Sequence, residues 1–149
     1  MEDSIDFFKR MVFNVVARNH DDHTKNHAFL MDQKGQWRLA PAYDLSFSYS
    51  PGGRWTNRHQ LSVNGKQDDF TYQDLLEVAI ENDIKNPVEI IDKTIDVVSR
   101  WATYAKEAGV RQQHLDTIKK TFAFGKARNN TPTRNKSKQK DITFTNAKP

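Results

Sequence analysis

Three side chains with proton-accepting or metal-binding chemistry lie close together in the sequence. Asp21 and Asn26 are five residues apart, and Asp44 follows eighteen residues after Asn26. Phosphoryl transfer needs one carboxylate to receive a hydroxyl proton, and an asparagine with a second carboxylate to hold Mg²⁺. Magnesium prefers such oxygen ligands and keeps several waters, so one Asp, one Asn and nucleotide phosphates can complete its shell. Lys25, between the two loop residues, could neutralise the transferred phosphate. The pattern indicates a phosphoryl-transfer site.

The same residues also have ordinary structural interpretations. An Asp followed by an Asn five residues later occurs by chance in many chains. Asp21 and the adjacent Asp22 could be turn-forming or capping acids, and Asn26 could be a turn residue. Asp44 could cap the start of a helix. The residues alone leave both interpretations open.

The elements that must position these side chains are predicted from hydrophobic periodicity. An amphipathic helix is expected over residues 4–18, followed by a polar loop over 19–26. A hairpin is expected next, with strands at 27–32 and 36–40 around a turn at 33–35. Its returning strand would carry Asp44 back beside Asp21. Residues 46–58 hold Pro51-Gly52-Gly53 among serines and are expected to form a flexible loop.

The second half of the chain is predicted to be helical. Thr71 with Asp74 three residues later predicts a capped helix through about residue 81. Proline at position 87 predicts the start of another helix, whose apolar stripe continues without interruption until Gly109 ends it. A last helix is expected over 112–122. The predicted fold class is therefore α+β, mostly α.

Composition excludes several classes of protein. The chain has no cysteine, which excludes a disulfide framework and a zinc ribbon. No apolar run is long enough for a membrane span, and the first six residues are acidic where a signal peptide would be basic. The composition therefore predicts a soluble cytoplasmic protein that contacts no membrane.

The charge of the chain is concentrated at one end. The full sequence has 23 Lys and Arg against 19 Asp and Glu. Residues 126–149 hold seven of the basic residues and one acid, so residues 1–125 are slightly acidic. We expect a folded domain over 1–125 and a basic, disordered tail over 126–149. The alternative for the tail is a basic arm that touches nucleic acid.

Two segments resemble the catalytic half of HipA-type serine/threonine kinase toxins. They read Asn19-His20-Asp21-Asp22-His23-Thr24-Lys25-Asn26-His27-Ala28-Phe29 and Trp37-Arg38-Leu39-Ala40-Pro41-Ala42-Tyr43-Asp44-Leu45. The resemblance covers about residues 3–124. It implies the carboxy-terminal lobe of a HipA-like kinase fold, with a short β-hairpin beside the catalytic loop.

The resemblance also implies a role for each site residue. Asp21 would be the catalytic base, and Asn26 and Asp44 would be the metal ligands that bind ATP with Mg²⁺. Lys25 is expected to assist catalysis next to the phosphate. His23 is expected to shape the loop or lie near the nucleotide phosphates. The implied reaction is transfer of the ATP γ-phosphate to a protein serine or threonine.

HipA-type kinases also have an amino-terminal lobe with a glycine-bearing phosphate loop. No glycine precedes Asp21 in this sequence, so we expect that lobe to be missing and the isolated chain to have negligible kinase activity. The expected partners are a HipB-like antitoxin and a separate chain that supplies the amino-terminal lobe. A lobe without its counterpart should expose an apolar face.

Two other classes of function compete with the kinase. The chain could be a non-catalytic module that binds a toxin–antitoxin partner or nucleic acid, and the helix that begins near Gln112 and Gln113 is a poor candidate for direct DNA recognition. It could also be a metal-dependent hydrolase that uses the loop histidines His20, His23 and His27. The remaining histidines, His59 and His114, are expected at the surface or in turns.

Overall fold

The computed structural model describes residues 2–124 of the chain. The predicted tail over 126–149 lies outside the described residues. The described residues form five helices and one pair of strands: α1 (Glu2–Ala17), β1 (Phe29–Met31), β2 (Trp37–Leu39), α2 (Tyr72–Glu81), α3 (Pro87–Ser99), α4 (Trp101–Glu107) and α5 (Gln112–Lys119). The predicted α+β, mostly α class is confirmed.

Helix α1 lies at the centre of the fold and packs most extensively against α3. Its apolar residues recur at three- and four-residue steps, so they form one stripe that faces the core. The buried core combines this stripe with residues of α2 and α3: Phe8, Val12, Val15, Val16, Leu75, Ala79, Ile91 and Val98. Burial of α1 fixes the point at which the following polar loop leaves the core.

Strands β1 and β2 form the predicted hairpin immediately after that loop. They are antiparallel, with Phe29 opposite Leu39 and Met31 opposite Trp37. Beyond the paired residues, the amide of Ala40 donates to the carbonyl oxygen of Ala28 at 2.8 Å. The chain therefore returns from β2 beside the loop from which it started.

Helix α2 begins as the sequence predicts. Thr71 and Asp74 form a capping box, in which each side chain accepts a hydrogen bond from the backbone of the other residue. Hydrogen bonds from Lys66 and from the backbone of Thr71 hold the pKa of Asp74 well below its usual range. The ion pair with Lys66, at 2.8 Å, ties the preceding loop to this cap.

The predicted continuous helix from Pro87 to just before Gly109 is wrong, because the chain breaks at Arg100 into α3 and α4. Arg100 has ψ near 12°, outside the helical range, and its amide bonds to the carbonyl oxygen of Val97, three residues back. The apolar stripe keeps its helical spacing across Arg100, so it does not predict this break in the helix. Gly109, with φ of +72°, follows the end of α4 as predicted. Helix α5 ends at Lys119, earlier than expected.

None of the helices formed by residues 2–124 has the length and hydropathy that a membrane crossing requires.

Candidate active site

The loop over residues 19–26, called here the 19–26 loop, begins where α1 ends. Arg18 adopts a left-handed backbone conformation with φ of +57°, which turns the chain out of the helix. The amide of Asn19 then donates to the carbonyl oxygen of Asn14 at 2.9 Å, and the Asn19 side chain donates to Asn14 Oδ1 at 3.0 Å. These bonds fix the first residue of the loop to the buried helix.

Asn26 links the other two residues that the sequence singled out, Asp21 and Asp44. It closes a short 3₁₀ turn over Thr24–Asn26. Its Nδ2 donates to the carbonyl oxygen of Asp21 and to Oδ2 of Asp44, each at 2.9 Å. Asp21, Asn26 and Asp44 are therefore brought together at one place, although Asp44 lies on the far side of the hairpin in the sequence.

The position of Asp44 is fixed by hydrogen bonds of its own backbone and of the neighbouring residue Tyr43. Its φ is +53°, and its carbonyl oxygen accepts a hydrogen bond from Asn19 Nδ2 at 3.2 Å. The hydroxyl of Tyr43 donates to the carbonyl oxygen of Lys25 at 2.6 Å. No helix begins at Asp44 in the described part of the chain, so the helix-capping interpretation of this residue is wrong.

The carboxylate of Asp21 stays accessible while its backbone is fixed. The Asp21 amide donates to Ser48 Oγ at 2.9 Å. The side chain is half-exposed, with one oxygen 3.6 Å from Nε2 of His23. Lys25 is exposed on the 3₁₀ turn and forms no ion pair with any residue between 2 and 124. A carboxylate in this setting can receive a proton from a substrate that approaches from solvent.

Asp22, the other aspartate of the loop, points the opposite way and is buried. Its Oδ2 lies 2.8 Å from Nδ1 of His59. Its Oδ1 accepts hydrogen bonds from the amides of Gln60 at 2.8 Å and Leu61 at 3.2 Å. His59 is only 1% exposed, so its predicted surface position is wrong: the buried carboxylate of Asp22 provides the partner that its imidazole needs.

His20 is completely buried between aromatic rings. Its ring centroid lies 4.1 Å from that of His59 and 4.7 Å from that of Tyr49. Burial, together with the nearby His59 and Arg18, lowers the pKa of His20 to about 4. Nη1 of Arg18 approaches Nε2 of His20 at 3.4 Å and forms an ion pair with Asp68 at 2.7 Å. His20 is therefore a neutral core residue at physiological pH.

The three loop histidines do not form a metal site. His20 is enclosed in the core, whereas the ring of His27 packs on Phe7 at 4.6 Å. Among residues 2–124, no group of three or more His, Asp or Glu side chains is placed to hold a metal ion. The hydrolase alternative therefore has no metal centre among the residues of the described structure.

The residues at Asn26 and Asp44 fit a magnesium ion that shares its shell with phosphates. Nδ2 of Asn26 donates to Oδ2 of Asp44, which leaves Oδ1 of each side chain without a hydrogen bond from the described residues. Both are hard oxygen donors at an accessible position. Mg²⁺ typically takes one or two such protein ligands and completes its octahedron with phosphate oxygens and water.

Sequence reasoning missed the residues that support the site from behind. Ser48 accepts from Asp21 and donates to Oδ1 of Asn19 at 2.8 Å, and His59 anchors Asp22. These contacts join residues 27 to 37 positions apart, and no local spacing signals them. In the sequence these supporting residues appear only as a histidine and several serines in a long loop, a pattern that does not predict their contacts.

A comparison with protein family models identifies the family of the chain. The HipA-like C-terminal domain matches residues 1–122, and the chain belongs to this family. No curated protein and no solved structure was found to match the chain.

Proposed function

We propose that the chain is the catalytic part of a HipA-like toxin kinase that transfers the γ-phosphate of ATP to a serine or threonine of a protein. The observation that carries this proposal is the position of Asn26, whose amide bridges Asp21 and Asp44 with two bonds of 2.9 Å. A proton acceptor and two oxygen ligands for Mg²⁺ are the parts that phosphoryl transfer requires. Family membership supports the same function.

In the proposed reaction, the carboxylate of Asp21 takes the proton of the substrate hydroxyl. The hydroxyl oxygen bonds to the γ-phosphorus, and the bond from that phosphorus to the β–γ bridging oxygen breaks, which releases ADP. Asn26 and Asp44 would hold Mg²⁺, which neutralises phosphate charge when bound. Lys25 lies on the exposed turn between them and would add a positive charge. His23, 3.6 Å from Asp21, would orient the base beside the phosphates.

The hairpin indicates where a second lobe would dock. Phe29, Met31 and Trp37 share one face of it and are all exposed, with Trp37 at 65%. Exposed apolar residues next to a candidate nucleotide site are typical of an interface. A lobe with a glycine-bearing phosphate loop, on the same or a separate polypeptide, would cover this face. A HipB-like antitoxin and a cytoplasmic location belong to the same proposal.

The same hairpin also favours the alternative, a non-catalytic module that binds a toxin–antitoxin partner. Such a module needs the exposed apolar face but does not need Asp21. Substitution of Asp21 therefore separates the two functions.

The test is transfer of labelled phosphate from ATP to protein, for the chain alone and with a HipA-like amino-terminal lobe added. We expect negligible transfer by the chain alone and serine or threonine labelling when the lobe is present. The Asp21→Asn variant should lower the rate about 10²–10⁴-fold, since it removes the general base. With the lobe present, equal transfer by Asp21→Asn and the unaltered chain, or no transfer by the unaltered chain, would contradict the proposal.

A further inference from the structure

The loop over residues 49–58 is anchored at both ends to the 19–26 loop. Just before it, Ser48 accepts the amide of Asp21 at 2.9 Å and its own amide donates to the carbonyl oxygen of Arg18 at 3.2 Å. Just after it, His59 and Gln60 bond to the carboxylate of Asp22, each at 2.8 Å. Both ends of this loop are therefore fixed to the residues on either side of the peptide bond that joins Asp21 to Asp22.

The loop has an internal structure of its own. The amide of Ser50 donates to the carbonyl oxygen of Thr56 at 3.0 Å, and the amide of Gly53 donates to the carbonyl oxygen of Ser50 at 2.9 Å. A Cβ atom on Gly53 would lie 2.9 Å from Ser50 Oγ and 3.0 Å from the carbonyl oxygen of Ser50, so a side chain there would crowd the turn. The side chain of Gln60 also donates to the carbonyl oxygen of Trp55. These hydrogen bonds fix the conformation of residues 53–56, which are called here the tip of the loop.

The tip carries an aromatic ring and positive charge in solvent. Trp55 is 67% exposed, and the guanidinium carbon of Arg54 lies 4.8 Å from the centre of its ring. Arg58, at the end of the loop, is exposed as well. Within residues 2–124 neither arginine forms an ion pair. Exposed Trp and Arg side chains are the residue types that most often supply binding energy in protein interfaces.

The sign of the charge indicates what would bind. Residues 45–67 contain no Asp or Glu, whereas the rest of the domain is acidic. The loop is thus a positive segment, anchored at both ends to Asp21 and Asp22, in a domain that otherwise carries negative charge. A partner with acidic side chains would be attracted to the loop more than to its surroundings.

From these observations we infer that the 49–58 loop is the substrate-docking element, and that it selects a protein segment in which acidic residues flank the phosphorylated serine or threonine. Arg54 and Arg58 would pair with the acidic side chains, and Trp55 would pack against the substrate chain. Because the loop ends are bonded to Asp21 and Asp22, docking there would place the hydroxyl near the base. This inference rests on the proposed kinase function for the identity of the docked segment as substrate.

Single-stranded nucleic acid is the competing occupant, since it also binds aromatic and arginine side chains. Two observations disfavour it. Arg54 already covers one face of the Trp55 ring, which reduces the surface on which a base can stack. The half-exposed carboxylate of Asp21 and the exposed carboxylate of Asp44 would repel a continuous phosphate backbone that crosses the site. A peptide can keep its acidic residues at the loop and present a neutral hydroxyl to Asp21.

The experiment measures fluorescence anisotropy of a labelled serine peptide flanked by glutamates, without nucleotide or metal. A matched peptide with lysines in place of glutamates and a single-stranded oligouridine are the comparison probes. We expect the acidic peptide to bind most tightly. The double variant Arg54→Ala/Arg58→Ala should bind it about tenfold more weakly, as expected for loss of two exposed ion pairs. Arg38→Ala, which removes an exposed arginine of β2, is the matched control and should bind as the unaltered chain does.

A charge reversal sharpens the test. Arg54→Glu/Arg58→Glu should prefer the lysine peptide. The inference is overturned if the acidic peptide fails to bind, if Arg38→Ala weakens binding as much as the double variant does, or if oligouridine binds more tightly than the acidic peptide.

The outcome is separable from that of the kinase proposal. Peptide binding that depends on Arg54 and Arg58, in a chain that transfers no phosphate even with the amino-terminal lobe added, would support the docking surface and overturn the kinase function. Phosphate transfer that requires Asp21 but proceeds equally well in the double variant would support the kinase function and overturn the docking role.

Discussion

The 19–26 loop has two sides that differ in burial and in bonding. The buried side consists of Asn19, His20 and Asp22, and the exposed side consists of Asp21, His23 and Lys25. Every side chain on the buried side contacts the body of the domain through residues distant in sequence. On the exposed side the bonds to other parts of the domain are made by the backbone: Asp21 bonds to Ser48 and Asn26, and the carbonyl oxygen of Lys25 accepts from Tyr43. The difference teaches that Asn19, His20 and Asp22 anchor the loop, which leaves the side chains of Asp21, His23 and Lys25 accessible to solvent.

The largest difference between the two sides is expected when the adjacent aspartates Asp22 and Asp21 are substituted one at a time. Asp22→Ala should lower the free energy of unfolding by about 3 kcal/mol, because it leaves buried His59 and two amides without their carboxylate. Asp21→Ala should change it by less than about 0.5 kcal/mol, since its half-exposed side chain has no buried partner. Urea unfolding measures both values. Equal destabilisation by the two substitutions would remove the distinction between the two sides.

A smaller effect is expected from pH. The pKa of His20 is about 4 in the folded chain, against about 6.5 when unfolded. Between these values the unfolded state binds a proton that the folded state does not, so stability should fall as pH is lowered from about 6.5 towards 4. Among the charged neighbours, His59 and Arg18 depress this pKa, while Asp68 and Asp22 oppose the shift.

Unfolding in urea at pH 7 and pH 5 measures this dependence. His20→Phe keeps a ring but cannot be protonated, so its loss of stability between the two pH values should be smaller, and His20→Gln serves if the phenylalanine variant does not fold. His114→Gln is the matched control at an exposed position. If the pH dependence is the same in the unaltered chain and in both His20 variants, the buried side does not act as described.

What could be predicted from the sequence was local. Asp21 and Asn26 lie within one loop, and a short hairpin returns Asp44 to it, so spacing and strand pattern were sufficient to place all three. Thr71 and Asp74 were found for the same reason. The role of Asp22 was missed because its partner, His59, is 37 residues away in a segment without regular structure. The break at Arg100 was missed because the apolar stripe on both sides of it keeps the helical period.

The most direct test of the central claim uses Mn²⁺–ATP as a paramagnetic stand-in for Mg²⁺–ATP in NMR spectra of the chain. Mn²⁺ accepts the same oxygen ligands, and line broadening reports even weak binding. We expect broadening to begin at the amides of residues 21–26 and 44–45, to be lost in Asp44→Asn, and to persist in Glu107→Gln, which removes a charge at the exposed end of α4. Broadening that is centred elsewhere, or that is unchanged in Asp44→Asn, would contradict the account.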